Sequence, residues 1–237
     1  MKKLLIICSC FLPGLLVAQV NDEPYNFPIK PGTEQWAKLT TSDQMDEVCV
    51  IPDEVLSTIS TKALLITCLN YPRIIDFFSK SNLQSAFDFY SSHFNGLKAL
   101  LNRSDLSKVL LNYYPTIDLH DYIFYGDNGK PSFVQIAFFE LLLAQEKIIR
   151  NFNDTEKSEV LLLAINNLEI RKSKNESIGR QITTGLIISR VLSVIDSKTI
   201  ENIGDKEIIN TFISSGIVLD TSIIDKILIK AKETYNN

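Results

Sequence analysis

Histidine is nearly missing from this 237-residue chain: His93 and His120 are the only two. Acid–base and metal chemistry built on imidazole therefore has two places to start, and most of the chain is out of reach of both. Four cysteines are present, and Cys8 and Cys10 fall within the first twenty residues, so Cys49 and Cys68 stand alone in the rest. Two cysteines without histidines at ligand spacing do not make a structural zinc site. Glycine and proline are sparse, at 9 and 8, which disfavours both a turn-rich all-β chain and disorder. The chain carries no GxSxG, HExxH, P-loop or GxGxxG pattern, so the common catalytic and nucleotide-binding signatures are absent. Clustered positive charge is also lacking. The densest basic run is Arg171-Lys172-Ser173-Lys174, too short for a phosphate-binding surface and suited to a helix end, where cations meet the macrodipole. No nucleic-acid partner is expected.

What the chain does have is hydrophobicity, 45 % of its residues, and it is arranged in two ways. Residues 1–18 have the layout of a secretory signal peptide: Lys2 and Lys3, an apolar run to Val17, and Ala18 as the small residue before cleavage. Cys8 and Cys10 sit inside the apolar run rather than after it, which argues against a lipid anchor. The mature chain would begin at Gln19 with 22 basic and 28 acidic residues, a net charge of −6. This predicts export to the periplasm or beyond, with no transmembrane helix in the mature chain. The remaining hydrophobicity is helical in period. Ile188, Val191, Leu192 and Ile195 repeat at i, i+3, i+4 and i+7. Pro131 to Arg150, PSFVQIAFFELLLAQEKIIR, is apolar almost all round and reads as a central helix packed on several sides, with Pro131 at its first position. Capping residues punctuate the chain at Ser60, Asn82, Ser104, Asn153 and Asp205, and Gly216 closes a helix.

The expected architecture is all-α: an extended segment over residues 19–32, then one helical domain over 33–237 with no linker. Short loops between helices favour antiparallel hairpins. No strict repeat period is found, so an irregular α-solenoid or helical bundle of the armadillo/HEAT type is predicted. The least regular piece is Ile117 to Tyr125 followed by Gly126-Asp127-Asn128-Gly129, read as a short helix and loop in preference to a strand and turn.

The stretch FPIKPGTEQWAKL, followed by IPDEVLSTISTKALLITCLNYP, carries PIKPGTxxW, IPxEVL and STxALxxTCLxYP. In these features Phe27 to Pro72 resembles the N-terminal module of uncharacterised secreted helical proteins of gut-type bacteria. The resemblance covers about 46 residues. It implies an exported armadillo- or HEAT-like protein and assigns no catalytic residue.

Candidate chemistry is thin. Asp118, His120 and Asp121, with Asp127 nearby, are the carboxylates and imidazole closest together, and a hydrolase or metal-dependent enzyme would have to use them. On a helix only Asp118 and Asp121 share a face; on a strand only Asp118 and His120 do. The local sequence therefore gathers no complete site. His93 reads as a helix-terminal residue. Cys49 and Cys68 are either a disulfide, which an oxidising compartment permits, or two small buried hydrophobes. Trp36 and Tyr25, Tyr71, Tyr90, Tyr113, Tyr114, Tyr122 and Tyr125 read mainly as core. Ser177 to Arg180 and Thr183-Thr184-Gly185 read as places of close helix packing. Without a catalytic constellation, the expected function is non-enzymatic, with no cofactor: an exported scaffold for a protein or peptide.

Overall fold

The computed structural model describes residues 20–119, 122 and 131–235. Among these, every regular element is a helix, and the extended backbone near the start bridges Asn21 to Ile59. Asn21 donates to Thr58 O and accepts from Ser60 N, both at 2.8 Å. Further along, Tyr25 N bonds Thr67 Oγ1 at 2.9 Å, and the Phe27 ring is buried. The extended segment is thus fastened to the helical body.

A 3-10 turn at Trp36–Lys38 opens the helical part, with Thr33 Oγ1 accepting from Trp36 N. Short helices α1 (Ser42–Val48) and α2 (Asp53–Thr58) follow, then α3 (Thr61–Leu69) under its Ser60 cap. A 3-10 helix at Ile74–Ser79 leads to α4 (Leu83–His93), capped by Asn82, then α5 (Asn95–Leu101) and α6 (Leu106–Tyr113). Asp105, not Ser104, is the residue before α6.

The stretch expected to form one central helix is two. α7 (Phe133–Leu143) ends at Ala144, and α8 (Glu146–Arg150) restarts after Gln145, whose extended backbone breaks the helix. Pro131 lies outside. Ser132 is the cap, and it closes a reciprocal capping box with Gln135. α9 (Asp154–Ser173) begins with the same device between Asn153 and Glu156. α10 (Ile178–Ile195), α11 (Ser197–Glu201), α12 (Lys206–Ser215) and α13 (Ile223–Tyr235) complete the chain. Gly216 stops α12 in the left-handed region at φ 75°.

α7 is deeply buried, as its composition predicts, but α10 is the hub. It packs against α7, α8, α9, α11, α12 and α13. Gly185 permits this crowding: a Cβ there would sit 2.7 Å from Ile224 Cδ1 and 3.4 Å from Phe212. Among the described residues α10 is also the helix long and apolar enough to span a membrane, yet most of it is covered by protein. Ile195, expected on its inner stripe, is exposed. One continuous set of buried side chains runs from Phe27 to Ala231.

Cys49 and Cys68 are free thiols in the structure, both buried. Burial pushes the Cys49 thiol from 9.0 up to about 11, with Arg73 opposing and Asp46 adding to the rise, and pushes Cys68 higher still. Because both are raised, the stability gained by keeping them neutral is whole below pH 9; the Cys49 share is lost as pH climbs through 11 and the Cys68 share only above that. Two results are expected. Iodoacetamide labels neither cysteine in the native protein and both in denaturant without reductant, and Cys49→Ala flattens the fall in stability between pH 9 and 11.

Candidate functional site

Glu140 lies in the middle of α7 between Phe139 and Leu141, and all three are fully buried. A carboxylate taken out of water needs charge and hydrogen bonds in return. Two helices supply them. From α10, Thr183 Oγ1 donates to Oε2 at 2.5 Å and Thr184 Oγ1 to Oε1 at 2.8 Å. From α9, Arg171 Nη2 approaches both oxygens, at 3.3 and 3.2 Å. Arg171 is likewise fully buried. The basic run at the end of α9 is therefore not a solvated cap throughout: its first residue turns into the core.

The end of α9 shows how. Asn175 adopts φ 53°, the left-handed conformation asparagine tolerates, and Glu176 N bonds back to Arg171 O at 3.0 Å. This reversal brings the Glu176 carboxylate onto Arg171 Nη1 at 3.3 Å. Glu176 Oε1 accepts from the Tyr122 hydroxyl at 2.6 Å, and Arg180 Nη1 reaches the same hydroxyl at 3.2 Å. Gln181 Nε2 donates to Glu176 O at 2.7 Å, and Lys174 Nζ to Leu119 O at 2.7 Å. Burial alone would pull the Arg171 guanidinium down, but Glu140 and Glu176 outweigh it and its pKa ends above the ordinary value. The Tyr114 hydroxyl, enclosed beside Glu140, is held strongly protonated, first by burial and then by that carboxylate. This cluster ties α7, α9 and α10 together. Its central carboxylate is sealed from solvent and fully engaged, which suits holding helices in register.

A second buried cation works differently. Among the described residues, Arg190 of α10 has no carboxylate in hydrogen-bond contact. Its Nε bonds Ile213 O at 2.8 Å, while the two terminal nitrogens reach Ala144 O, Gln84 Oε1 and Ser214 O. These carbonyls end α7 and α12, where helix dipoles are negative. Burial lowers the Arg190 pKa to about 10, and Glu146 and Asp88 hold it from falling further.

At the surface, the 3-10 helix Ile74–Ser79 exposes Ile75 and Phe78, at 48 % and 40 %. Phe78 stacks with Phe133, the first residue of α7, at 6.2 Å between ring centres and 28° between planes. The Arg180 guanidinium carbon is 5.4 Å from the Phe133 ring centre and 5.6 Å from that of Tyr122. The result is a ledge of rings and one guanidinium that joins the surface to the Glu176 end of the buried cluster.

Of the residues considered for catalysis, Asp118 is exposed in the loop before Leu119, and His120, Asp121 and Asp127 lie outside the described residues. So does Tyr125, with most of the segment expected as helix and loop. His93 ends α4. Its ring stacks on Phe89 at 4.0 Å, and Nδ1 lies 2.8 Å from Phe89 O and 2.9 Å from Ser92 Oγ. Among the described residues no three His, Cys, Asp or Glu side chains are placed to hold a metal ion. Tyr71, Tyr90 and Tyr114 are core residues, whereas Tyr25, Tyr113 and Trp36 are partly covered at its edge. No protein-family model, curated protein or solved structure matches the chain.

Neither the Glu140–Arg171 pair nor the Phe78–Phe133–Arg180 ledge was anticipated from the sequence. Glu140 had one available signal: it is the lone charge in an eleven-residue helix that is otherwise apolar but for Gln135, and such a residue must find a buried partner.

Proposed function

We propose that this protein is an exported, non-enzymatic helical scaffold whose Phe78–Phe133–Arg180 ledge holds an apolar segment of a protein or peptide. The carrying observation is the ledge itself. An exposed ring, Phe78, beside the half-buried Phe133 and Arg180 is the kind of aromatic and arginine cluster that dominates binding energy at protein interfaces. Phe133 and Arg180 are set on α7 and α10, which the Glu140–Arg171 cluster ties together, so little ordering is needed there when a partner docks. Glu140 and Arg171 are already committed to each other, and Arg190 to carbonyl oxygens and Gln84, which favours a recognition role over catalysis. In the finer arrangement, the helices form a closed bundle of hairpins more than an open armadillo/HEAT-like solenoid. Repeats in a solenoid touch only their neighbours, and α10 touches both α7 and α13.

A photo-crosslinking residue at Phe78 in the exported protein tests this. A discrete adduct is expected there, lost when Arg180→Glu is added, and absent when the same residue is placed at Ile229, which is exposed on α13. Equal labelling at both positions, or none at Phe78, removes the ledge as a binding surface.

A further inference from the structure

Asn95 and Gly96 open α5, and the fold fixes both residue types. The Asn95 amide closes a two-way clamp on the connection between α1 and α2. Its Oδ1 accepts from Ile51 N at 3.1 Å, and its Nδ2 donates to Ile51 O at 2.7 Å. Ile51 is fully buried, where an unpaired backbone group is costly. Among side chains this short, only a primary amide carries a donor and an acceptor side by side. Gly96 is buried too and leaves no room for a side chain. A Cβ there would meet the Phe94 ring and stand 2.6 Å from Ile51 Cδ1. Phe94 and Ile51 are core residues themselves, so neither gives way freely. The clamp needs the amide, the packing needs the glycine, and together they make Asn-Gly. In that dipeptide an asparagine amide is most open to attack by the next backbone nitrogen, because glycine puts no side chain in the way and turns freely.

We propose that Asn95-Gly96 is a self-modification site, inert while the clamp is closed and reactive once α5 parts from Ile51. In the open chain the Gly96 nitrogen loses its proton and attacks Asn95 Cγ. The N–Cγ bond forms, the Cγ–Nδ2 bond breaks, and Nδ2 leaves as ammonia with that proton. Water then opens the five-membered imide at one carbonyl or the other, giving aspartate or isoaspartate, with nothing oxidised or reduced. The closed clamp prevents this in two ways. The amide is held against Ile51, and the helical backbone of Asn95 does not bring the next nitrogen into a five-membered ring with its own side chain. The change cannot be undone by refolding. A carboxylate accepts only, so an oxygen would oppose Ile51 O where a donor stood. Isoaspartate also adds a carbon to the main chain just where Phe94 and Ile51 crowd Gly96. Each opening of this join therefore risks a permanent weakening of the contact between α5 and the α1–α2 connection.

The test incubates the exported full-length protein at mildly alkaline pH, folded and in urea, and reads deamidation by peptide mass mapping. In urea Asn95 should convert, and Asn128, in the other Asn-Gly pair of the sequence, shows in the same map that the chemistry is running. In the folded protein Asn95 should convert at least about tenfold more slowly, since the rate follows the fraction open. Asn95→Asp, which reproduces one product, should raise the unfolded-to-folded ratio about fivefold to thirtyfold. Equal rates at Asn95 in the folded and urea-treated protein overturn the proposal. So does an Asn95 that stays intact in urea while Asn128 converts, or an Asn95→Asp protein as stable as the parent. Should Asn95→Asp fail to fold, the two rates in the parent protein decide.

Discussion

Arg171→Met is expected to lower the folding stability by about 3–5 kcal/mol, read as a fall in the urea midpoint with an unchanged slope. The reason is less the attraction lost than the charge left behind. Glu140 has no exposed surface. With the guanidinium gone, its carboxylate keeps the Thr183 and Thr184 hydroxyls but no countercharge, and Glu176 loses a partner as well. Adding Glu140→Leu to Arg171→Met should restore much of the loss, because a buried pair replaced by apolar groups of like size is often close to neutral. The restoration should stay incomplete, since the two threonine hydroxyls would then face hydrocarbon. Additive losses in the double variant would mean that Glu140 and Arg171 do not form the pair described.

Helix type and many helix starts were legible because they are local. The oxygen of Ser60, Asn82, Asn153 or Asp205 can reach a backbone N–H two or three residues on, and each does so here. Gly216 likewise announces a left-handed stop. The break at Ala144-Gln145 was not legible. Apolar residues continue through Ile148 and Ile149, and what ends α7 is tertiary: the Ala144 carbonyl is taken by Arg190 from 46 residues away. The choice of α10 as hub was hidden for a similar reason. Its polar Gln181, Thr183, Thr184, Ser189 and Arg190 lower its apparent hydrophobicity, yet all five are buried. Each makes at least one hydrogen bond, to a group outside α10 or to its own backbone, and a period count sees only the polarity. Arg171 was misread for the converse reason. A cation in a last helical turn is stabilised by the helix dipole whether it points out or in, and only the facing Glu140 on α7 decides between them.

The surface ledge was obscured by residue type. Attention to tryptophan and tyrosine, which carry polar handles, passed over Phe78 and Phe133. Each looks like core in its own window, Phe78 beside the buried Phe77 and Phe133 at the head of an apolar helix. Their incomplete burial follows from their places at helix ends, Phe78 near the end of its 3-10 helix and Phe133 at the start of α7, since a ring at a helix end projects past the neighbours that would cover it further along.

Phe139→Ala tests whether α7 is as central as its burial implies, and a loss of about 3–5 kcal/mol is expected. Phe139 is fully buried. Its ring packs between Tyr113 and Tyr114, at 5.2 and 5.6 Å between centres, so it joins α7 to the end of α6. It also precedes Glu140, so its loss frees space beside the ion pair. Two outcomes follow from the two ways such a site can respond. If the cavity stays open, the loss lies at the upper end of the range, because uncollapsed space adds to the transfer cost. If Tyr114 swings into it, the loss is smaller, but Tyr114 then leaves Glu140 and the coupling between Phe139→Ala and Arg171→Met departs from additivity. A loss well under 1 kcal/mol with simple additivity would place the true core elsewhere, around α10 alone.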